Sequence, residues 1–291
     1  MKVVIIANPK AGGGRACRAV RQSVGSWKYH NWEVEILETG GPNHAGELAR
    51  KLEENPPDLL AVCGGDGTVN EVASFIPAPP FPVSVLPAGT ANVIARELKL
   101  PLNPVRALDI GLKRSIRRID LGVLGPGSRR RFIFAAGIGF DAYVAARVKP
   151  AWKAKLGMGA YALEIFRCLG TYPFGEFQVV IDEQVYTATS CLAANARSYG
   201  GGLLFCPQAD MQDGLLDILI IQGRSRIKLA RFLLRAWLGH PEQNDWTRRI
   251  RADRLTVDGP ADIPVQADGE SAGELPLEIS LLPSTFPLVV P

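Results

Sequence analysis

The stretch Leu59-Leu60-Ala61-Val62-Cys63-Gly64-Gly65-Asp66-Gly67-Thr68-Val69-Asn70-Glu71-Val72 decides the reading of this chain. Residues 59–63 are a short apolar run of the length of a buried strand, residues 64–67 form a glycine turn, and residues 69–75 open a helix. Glycines there let the backbone approach an anion closely and adopt positive φ. The helix that follows offers unpaired N–H groups and the positive end of its dipole. The segment therefore predicts a phosphate site. Asp66 stands where a divalent cation or the reacting groups assemble, and Thr68 has a hydroxyl to donate to a phosphate oxygen. A tight strand-to-helix turn with no ligand is the plain alternative.

Working outward, residues 2–7 read as a buried strand, followed by Gly12-Gly13-Gly14 and a helix over residues 15–27. Residues 32–37 alternate like a strand, and residues 45–54 form a helix stopped by Pro56-Pro57. Residues 83–86 are a fourth strand, with a helix after Gly89-Thr90. Strands alternating with helices imply a parallel sheet covered on both faces, whose ligands bind at the carboxyl ends of the strands. Three loops lie at that edge, residues 8–14, 64–70 and 87–92.

The pattern changes near residues 112–120. Beyond it come short β-branched or aromatic runs at 131–135, 178–181, 185–193, 215–221, 254–257 and 277–281, with turns such as Asp258-Gly259-Pro260 between several of them. This spacing predicts a mainly antiparallel, β-sandwich-like second domain, interrupted by helical insertions around residues 152–169 and 227–238. The expected organisation is an α/β domain over 1–118 and a β-rich domain over 119–291.

Composition narrows the function. Of 291 residues, 47% are hydrophobic and 21% charged, the balance of a soluble globular protein with a full core. The apolar start stops at Asn8-Pro9, too early for a secretory signal, and nothing approaches the roughly 18 apolar residues of a membrane span. The five cysteines, 17, 63, 168, 191 and 206, form no CxxC pair. They are expected to be reduced structural thiols in a cytosolic protein. Three scattered histidines argue against a zinc site or a histidine-based hydrolase. The net charge of +4 is unevenly spread: residues 106–155 carry 12 Lys/Arg against 3 Asp, and residues 224–254 carry 9 against 3 acids. That asymmetry points to phosphate groups or an anionic membrane, with solvated surface as the alternative.

Other phosphate loops fail on spacing. There is no GxxxxGK(S/T), a GxGxxG begun at Gly12 would need glycine where Cys17 stands, and no protein-kinase signature set is present.

The ordered set of segments resembles the diacylglycerol kinase catalytic family, which includes bacterial lipid kinases and the sphingosine and ceramide kinases. The resemblance is carried by Asn8-Pro9-Lys10-Ala11-Gly12, by Gly64 through Val72, and by Leu86-Pro87-Ala88-Gly89-Thr90-Ala91-Asn92. It continues through Ala136-Gly137-Ile138-Gly139-Phe140-Asp141, Asn195 through Gly202, Asp213-Gly214-Leu215-Leu216-Asp217 and Asp268-Gly269-Glu270. The GGDGT segment alone is shared with NAD kinases and phosphofructokinases, so the resemblance implies a first domain of that α/β type.

The resemblance also implies roles. Asn8, Lys10, Thr39, Gly64, Gly65, Asp66, Gly67, Thr68, Val69, Asn70, Glu71, Gly89, Thr90, Asn92 and Asp268 would form the nucleotide site, with Asn8 and Asn92 ordering its loops. Glu270 would take the proton from a lipid hydroxyl, with Asp66 as the rival base. A divalent ion would sit at the Asp213 carboxylate and the backbone carbonyls of Asp210 and Leu215. One departure is that Val93-Ile94 follow Asn92 where many relatives carry Asp-Phe. By themselves, residues 266–270 equally suit a plain hairpin with solvated acids.

The implied activity is an ATP- and Mg²⁺-dependent lipid kinase of phospholipid metabolism, cytoplasmic and peripherally membrane-associated. Its partners would be a lipid acceptor and an anionic membrane surface, with no nucleic acid. The identity of the lipid and the oligomeric state, a homodimer included, stay open. A soluble-substrate kinase such as an NAD kinase, or a non-catalytic nucleotide- or lipid-binding regulator, are the alternatives. The segment 224–238 is basic and amphipathic, with Lys228, Arg231 and Arg235 on one face and Ile227, Leu234, Trp237 and Leu238 on another. It suits an interfacial helix or a helix packed on its own domain. Residues 149–155, with Trp152 among lysines, are a second candidate contact.

Overall fold

The computed structural model describes residues 1–26, 32–111, 115–125, 130–148, 158–199, 203–239 and 244–291. Trp152 and its lysines, and Gly200 to Gly202, lie outside them. The chain forms two compact units, Met1–Ile119 with Ser284–Pro291, and Asp120–Pro283.

In the first unit, β1 (Lys2–Ala7), α1 (Arg15–Ser26), β2 (Glu33–Glu38), α2 (His44–Lys51), β3 (Leu59–Gly64), α3 (Asp66–Phe75), β4 (Val83–Pro87), α4 (Val93–Glu97) and α5 (Pro104–Gly111) alternate. The sheet runs β2-β1-β3-β4, all parallel, with Ile5 opposite both Ile36 and Ala61 and Cys63 opposite Leu86. Every residue of β3 and β4 is buried, as expected of strands covered on both faces. Strand β2 at the edge alternates between exposed and partly buried positions. Near the C terminus, Leu288 pairs in parallel with Val83, and Val290 donates its N–H to the Ser115 carbonyl at 2.8 Å.

The second unit holds the mainly antiparallel strands. They are β5 (Ile116–Leu124, from Asp120 on), β6 (Arg131–Phe132), β7 (Ala135–Gly139), β8 (Phe177–Ile181), β9 (Gln184–Ala188), β10 (Ser190–Ala194), β11 (Ser198–Tyr199), β12 (Leu203–Leu204), β13 (Leu216–Ile221), β14 (Thr247–Ala252), β15 (Arg254–Asp258), β16 (Val265–Ala267), β17 (Glu270–Ser271) and β18 (Leu277–Val289, up to Pro283). Among them lie α6 (Phe140–Ala145), α7 (Met158–Thr171) and α8 (Arg226–Trp237). One sheet orders β14-β13-β10-β7-β16-β17, and the other brings together β18, β15, β8 and β9. Phe177, Val179, Val257 and Ile279 of one meet Ile138, Ala193, Ile218 and Val265 of the other in a shared core. Burying each large side chain stabilises by about 2 kcal/mol over leaving it in water. The β-sandwich expectation holds.

Element bounds differ from the sequence expectation in four informative places. Helix α3 starts at Asp66, so Gly67 and Thr68 are helical; Thr68 N–H and Val69 N–H both reach the Gly65 carbonyl, at 3.0 and 3.3 Å. Helix α5 was not anticipated, although Asn103-Pro104 signals it: Asn103 Oδ1 accepts the N–H groups of Val105 and Arg106, and proline suits the first helical position. The run 185–193 is two strands, β9 and β10, in different sheets, because Thr189 turns the corner with its hydroxyl on the Gly223 carbonyl at 2.9 Å. The run 131–135 divides likewise into β6 and β7.

Candidate active site

The three loops at the carboxyl edge of the parallel sheet are tied together by side chains that the sequence had singled out. Asn8, just past β1, donates from Nδ2 to Thr68 Oγ1 at 3.2 Å and accepts the Lys10 N–H at 3.0 Å on Oδ1. Asn92 sits in left-handed conformation, φ 48°, with Oδ1 on the Gly89 N–H at 2.8 Å and Nδ2 on the Gly89 carbonyl at 3.0 Å. Asp66 Oδ1 accepts the Ile94 N–H at 3.1 Å, so the one acid of the glycine turn holds the first turn of α4. Thr39, buried at the end of β2, bonds through its N–H to the Ala7 carbonyl.

Close approach explains the glycines. A Cβ on Gly89 would lie 2.7 Å from Gly65 Cα, and one on Gly64 would lie 2.5 Å from the Thr68 side chain. The N-cap of α3 is Gly65, which has no side chain to cover the helix end, so the positive end of the helix dipole is open to an anion. Gly67 and Thr90 are exposed, whereas Val69 is fully buried. Glu71 points elsewhere: its carboxylate accepts the Ala45 N–H at the start of α2, at 3.1 Å. It supports the loop from behind, where a negative charge does not oppose phosphate. Asn70 Oδ1 is buried without a hydrogen-bond partner. The cradle formed by Gly65, Gly89 and the α3 amides fits a nucleotide phosphate.

In the second unit, Asp268 and Gly269 form a tight turn between β16 and β17 with φ of 48° and 85°, the conformation of a type I′ hairpin. The Asp268 carboxylate accepts three backbone N–H groups, from Ile133 at 2.7 Å, Phe134 at 2.9 Å and Ala135 at 3.1 Å. These are the amides at the break between β6 and β7, where sheet pairing changes partner. Asp268 thus anchors the hairpin, and the next acid along it, Glu270, is exposed.

Two residues given no role from sequence complete this region. Gln266, buried between them, donates from Nε2 to Asp141 Oδ2 at 2.5 Å and accepts the Gly269 N–H on Oε1 at 2.6 Å. Asp141 is among the residues lining an apolar pocket with Phe140, Val144, Ile165, Leu219, Phe232 and Leu233, with about 660 Å³ of empty space including its open mouth. Burial raises the Asp141 carboxyl to about 7, against the opposing hydrogen bond from Gln266. A buried polar residue beside a glycine turn was the available signal for Gln266; its bridging role needed the fold.

The turn expected to hold a divalent ion is built by Asp120, whose buried carboxylate accepts the Gly214 N–H at 2.8 Å. Asp213 Oδ1 accepts the Leu215 N–H at 3.0 Å, its N–H reaches the Asp210 carbonyl at 3.4 Å, and Oδ2 pairs with Arg251. Arg251 also approaches Asp217 at 3.5 Å. Burial, partly offset by Arg251, raises the Asp217 carboxyl. Among the described residues no group of three or more His, Cys, Asp or Glu side chains forms a metal cluster. A cation held by the Asp213 carboxylate and the Asp210 and Leu215 carbonyls would share that carboxylate with the Arg251 guanidinium.

Residues 2–124 match the family described as diacylglycerol kinase catalytic domain, and residues 135–290 match the YegS C-terminal NAD kinase beta sandwich-like domain. The chain is 34% identical over 297 residues to a protein of Mycobacterium tuberculosis named diacylglycerol kinase, covering all of this chain and 95% of that one. It is 28% identical over 284 residues to a Chromohalobacter salexigens protein named "Probable lipid kinase YegS-like", covering 94% and 88%. A solved structure titled as a diacylglycerol kinase from Bacillus anthracis superposes with a TM-score of 0.75 at 22% identity, covering 100% and 97%. An NAD kinase from Archaeoglobus fulgidus in complex with ATP shares the fold at a TM-score of 0.51 and 15% identity, covering 100% and 93%. With both halves matched in order and a relative aligned end to end, the chain belongs to the diacylglycerol kinase family and is a lipid kinase, a phosphotransferase.

Proposed function

We propose that the protein transfers the γ-phosphoryl group of ATP to the hydroxyl of a neutral lipid of the diacylglycerol class. The observation that carries this reading is the pairing of chemistries: a glycine-built anion cradle in one unit and, in the other, an apolar pocket whose described lining includes one acid, Asp141. The Gly65 and Gly89 backbones and the α3 amides hold the phosphates. Asp141, held by Gln266, meets the polar end of the lipid while Val144, Phe232 and Leu233 take its hydrocarbon.

The acceptor oxygen attacks the γ-phosphorus, the bond to the β-phosphate oxygen breaks, and ADP leaves with that electron pair. Glu270 takes the proton released by the hydroxyl, with Asp66 as the alternative acceptor. Magnesium bound with ATP would neutralise charge on the phosphates. Such loose transition states ask more of positioning and charge than of the base, which suits an acid on a tightly anchored hairpin. A soluble dinucleotide acceptor has no use for so apolar a pocket.

The lipid is drawn from an anionic bilayer on the α7–α8 side. Ile227 is 82% exposed, Phe166 76% and Trp237 68%, with Leu234 and Leu238 also exposed. Leu229, Phe232 and Ala236 of α8 turn inward, so this helix both packs on its own unit and presents apolar and basic residues outward. The same helices supply Ile165, Phe232 and Leu233 to the pocket. Leu233→Trp tests the reading by filling that pocket: KM for lipid should rise at unchanged KM for ATP. Equal KM values for lipid in both proteins would contradict it.

A further inference from the structure

Cys17 and Cys63 are 46 positions apart in sequence, yet their sulfurs lie 3.3 Å from each other in the first unit. Cys63 is the last residue before Gly64-Gly65 and has no exposed surface. Cys17 is the third residue of α1, is partly exposed, and donates its S–H to the Asn8 carbonyl at 3.2 Å. An open cavity with about 450 Å³ of empty space is lined by Cys17 and Cys63 together with Pro9, Arg18, Arg21 and Glu38. Every other cysteine in the chain is buried.

We propose that Cys17 and Cys63 form an oxidisable dithiol, a modification site for peroxide, whose disulfide weakens nucleotide binding at the adjoining loops. The effect on nucleotide rests on the phosphate site described above; the dithiol itself does not. Cys17 attacks one peroxide oxygen, forming an S–O bond as the O–O bond breaks and hydroxide leaves. The Cys63 sulfur then attacks Cys17, forming the S–S bond and expelling water with the Cys63 proton. Two thiols and one peroxide give one disulfide and two waters, and two electrons pass from sulfur to oxygen.

The division of roles follows from the surroundings. The first turn of a helix favours a thiolate, and Cys17 is partly exposed whereas Cys63 has no exposed surface, so a small oxidant meets Cys17 first. The Cys63 hydrogen bond, helped by Arg21 against burial and Glu38, holds the Cys17 thiol below its ordinary value. The same hydrogen bond and burial raise that of Cys63, which suits the residue that attacks second.

Bond formation disturbs the phosphate loops because the pair shares their hydrogen bonds. The Cys63 carbonyl accepts the Asn8 N–H at 2.8 Å, and Asn8 in turn holds Thr68. Contracting 3.3 Å to a disulfide length of about 2.05 Å draws α1 toward β3. The Gly12–Gly14 turn entering α1 has no slack: a Cβ on Gly12 would lie 2.4 Å from the Ala88 carbonyl oxygen, beside Gly89.

The experiment treats reduced full-length protein with hydrogen peroxide, maps linked peptides without reductant, and measures the Kd of a fluorescent ATP analogue before oxidation, after it, and after dithiothreitol. Expected are a Cys17–Cys63 linked peptide and a Kd about tenfold higher, equivalent to about 1.4 kcal/mol, restored by reductant. Cys17→Ser should bind the analogue as reduced wild type does and ignore peroxide. A Cys17 sulfinic acid with no linked peptide, a bridge to any other cysteine, or a linked pair with unchanged Kd would overturn the proposal. Failure of the reduced protein to bind the analogue would instead overturn the nucleotide reading, leaving the peptide map to decide the dithiol.

Discussion

Gly65 and Gly89 touch backbone to backbone: a Cβ placed on Gly89 would sit 2.7 Å from Gly65 Cα, and one on Gly65 would sit 3.3 Å from Gly89 Cα. The two residues belong to loops that follow β3 and β4, neighbouring parallel strands whose ends are in register at Gly64 and Pro87. Any side chain at this point would wedge the loops apart and push Thr90 and the start of α3 out of alignment. Gly89→Ala should therefore raise the Kd for ATP about tenfold or more, since small misplacements of binding groups are costly. Overpacking should reduce stability by about 1–3 kcal/mol. Isothermal titration beside thermal unfolding checks both; unchanged ATP affinity would remove the close approach from the site.

Asp66 and Glu270 separate by kinetics. Glu270→Gln should bind ATP as before and lose about 10²–10⁴ in kcat, the usual contribution of a general base. Asp66→Asn should abolish transfer while the fold stays intact. An unchanged kcat in Glu270→Gln with weakened ATP affinity would assign Glu270 to the nucleotide and leave Asp66 as the base. Turnover of Asp66→Asn within about threefold of wild type would remove Asp66 from the site, since losing one transition-state contact of this kind costs about 10² or more.

Asp141 gives stability a pH dependence of known sign. Its carboxyl is raised from 3.8 to about 7 by burial, so the folded state binds more protons than the unfolded chain between those values. That contribution is fully present below about pH 4 and is lost as pH rises through about 7. Asp141→Asn cannot ionise, so the melting temperature of this variant minus that of wild type should increase from pH 4 to pH 7 and then level off. A difference independent of pH would mean that Asp141 is ionised throughout.

The basic face of α8 should act on lipid and not on nucleotide. Near an anionic surface each well-placed Lys or Arg contributes about 1 kcal/mol, and the attraction decays within a Debye length. Reversing Lys228, Arg231 and Arg235 to Glu should raise the apparent KM for vesicle lipid and leave KM for ATP unchanged. Co-sedimentation with neutral and anionic vesicles at low and high salt is the direct check. Equal, salt-insensitive binding would return those residues to plain solvated surface.

Much of this molecule was legible because local chemistry and fold agree. The buried runs at β1, β3 and β4 could only be covered strands, and the loops after them fall at the edge where such sheets bind ligands. Asn8, Asn92 and Thr68 were singled out, although their bonds to one another, to Lys10 and to Gly89 are visible only in three dimensions. What escaped was long-range pairing. Asp268 looks like a turn acid beside Glu270, and nothing nearby in sequence announces that it satisfies amides 133 to 135 positions away. Cys17 and Cys63 read as scattered thiols because parallel-sheet topology, not spacing, brings them together. Thr189 breaks one apolar run into strands of different sheets, and a burial pattern in one dimension cannot show that change of partner. Helix α5 is announced in sequence only by its start at Asn103-Pro104.

The proposed function requires that the phosphate cradle serve a lipid acceptor. The measurement that tests it most directly is the initial rate of transfer from γ-labelled ATP, with purified protein and magnesium, to diacylglycerol in anionic vesicles and, separately, to NAD. The expected result is label in the chloroform-soluble phosphate ester of the lipid, lost in Asp66→Asn, with none in the dinucleotide. Label in NAD, or an Asp66-independent signal in the lipid, would contradict it.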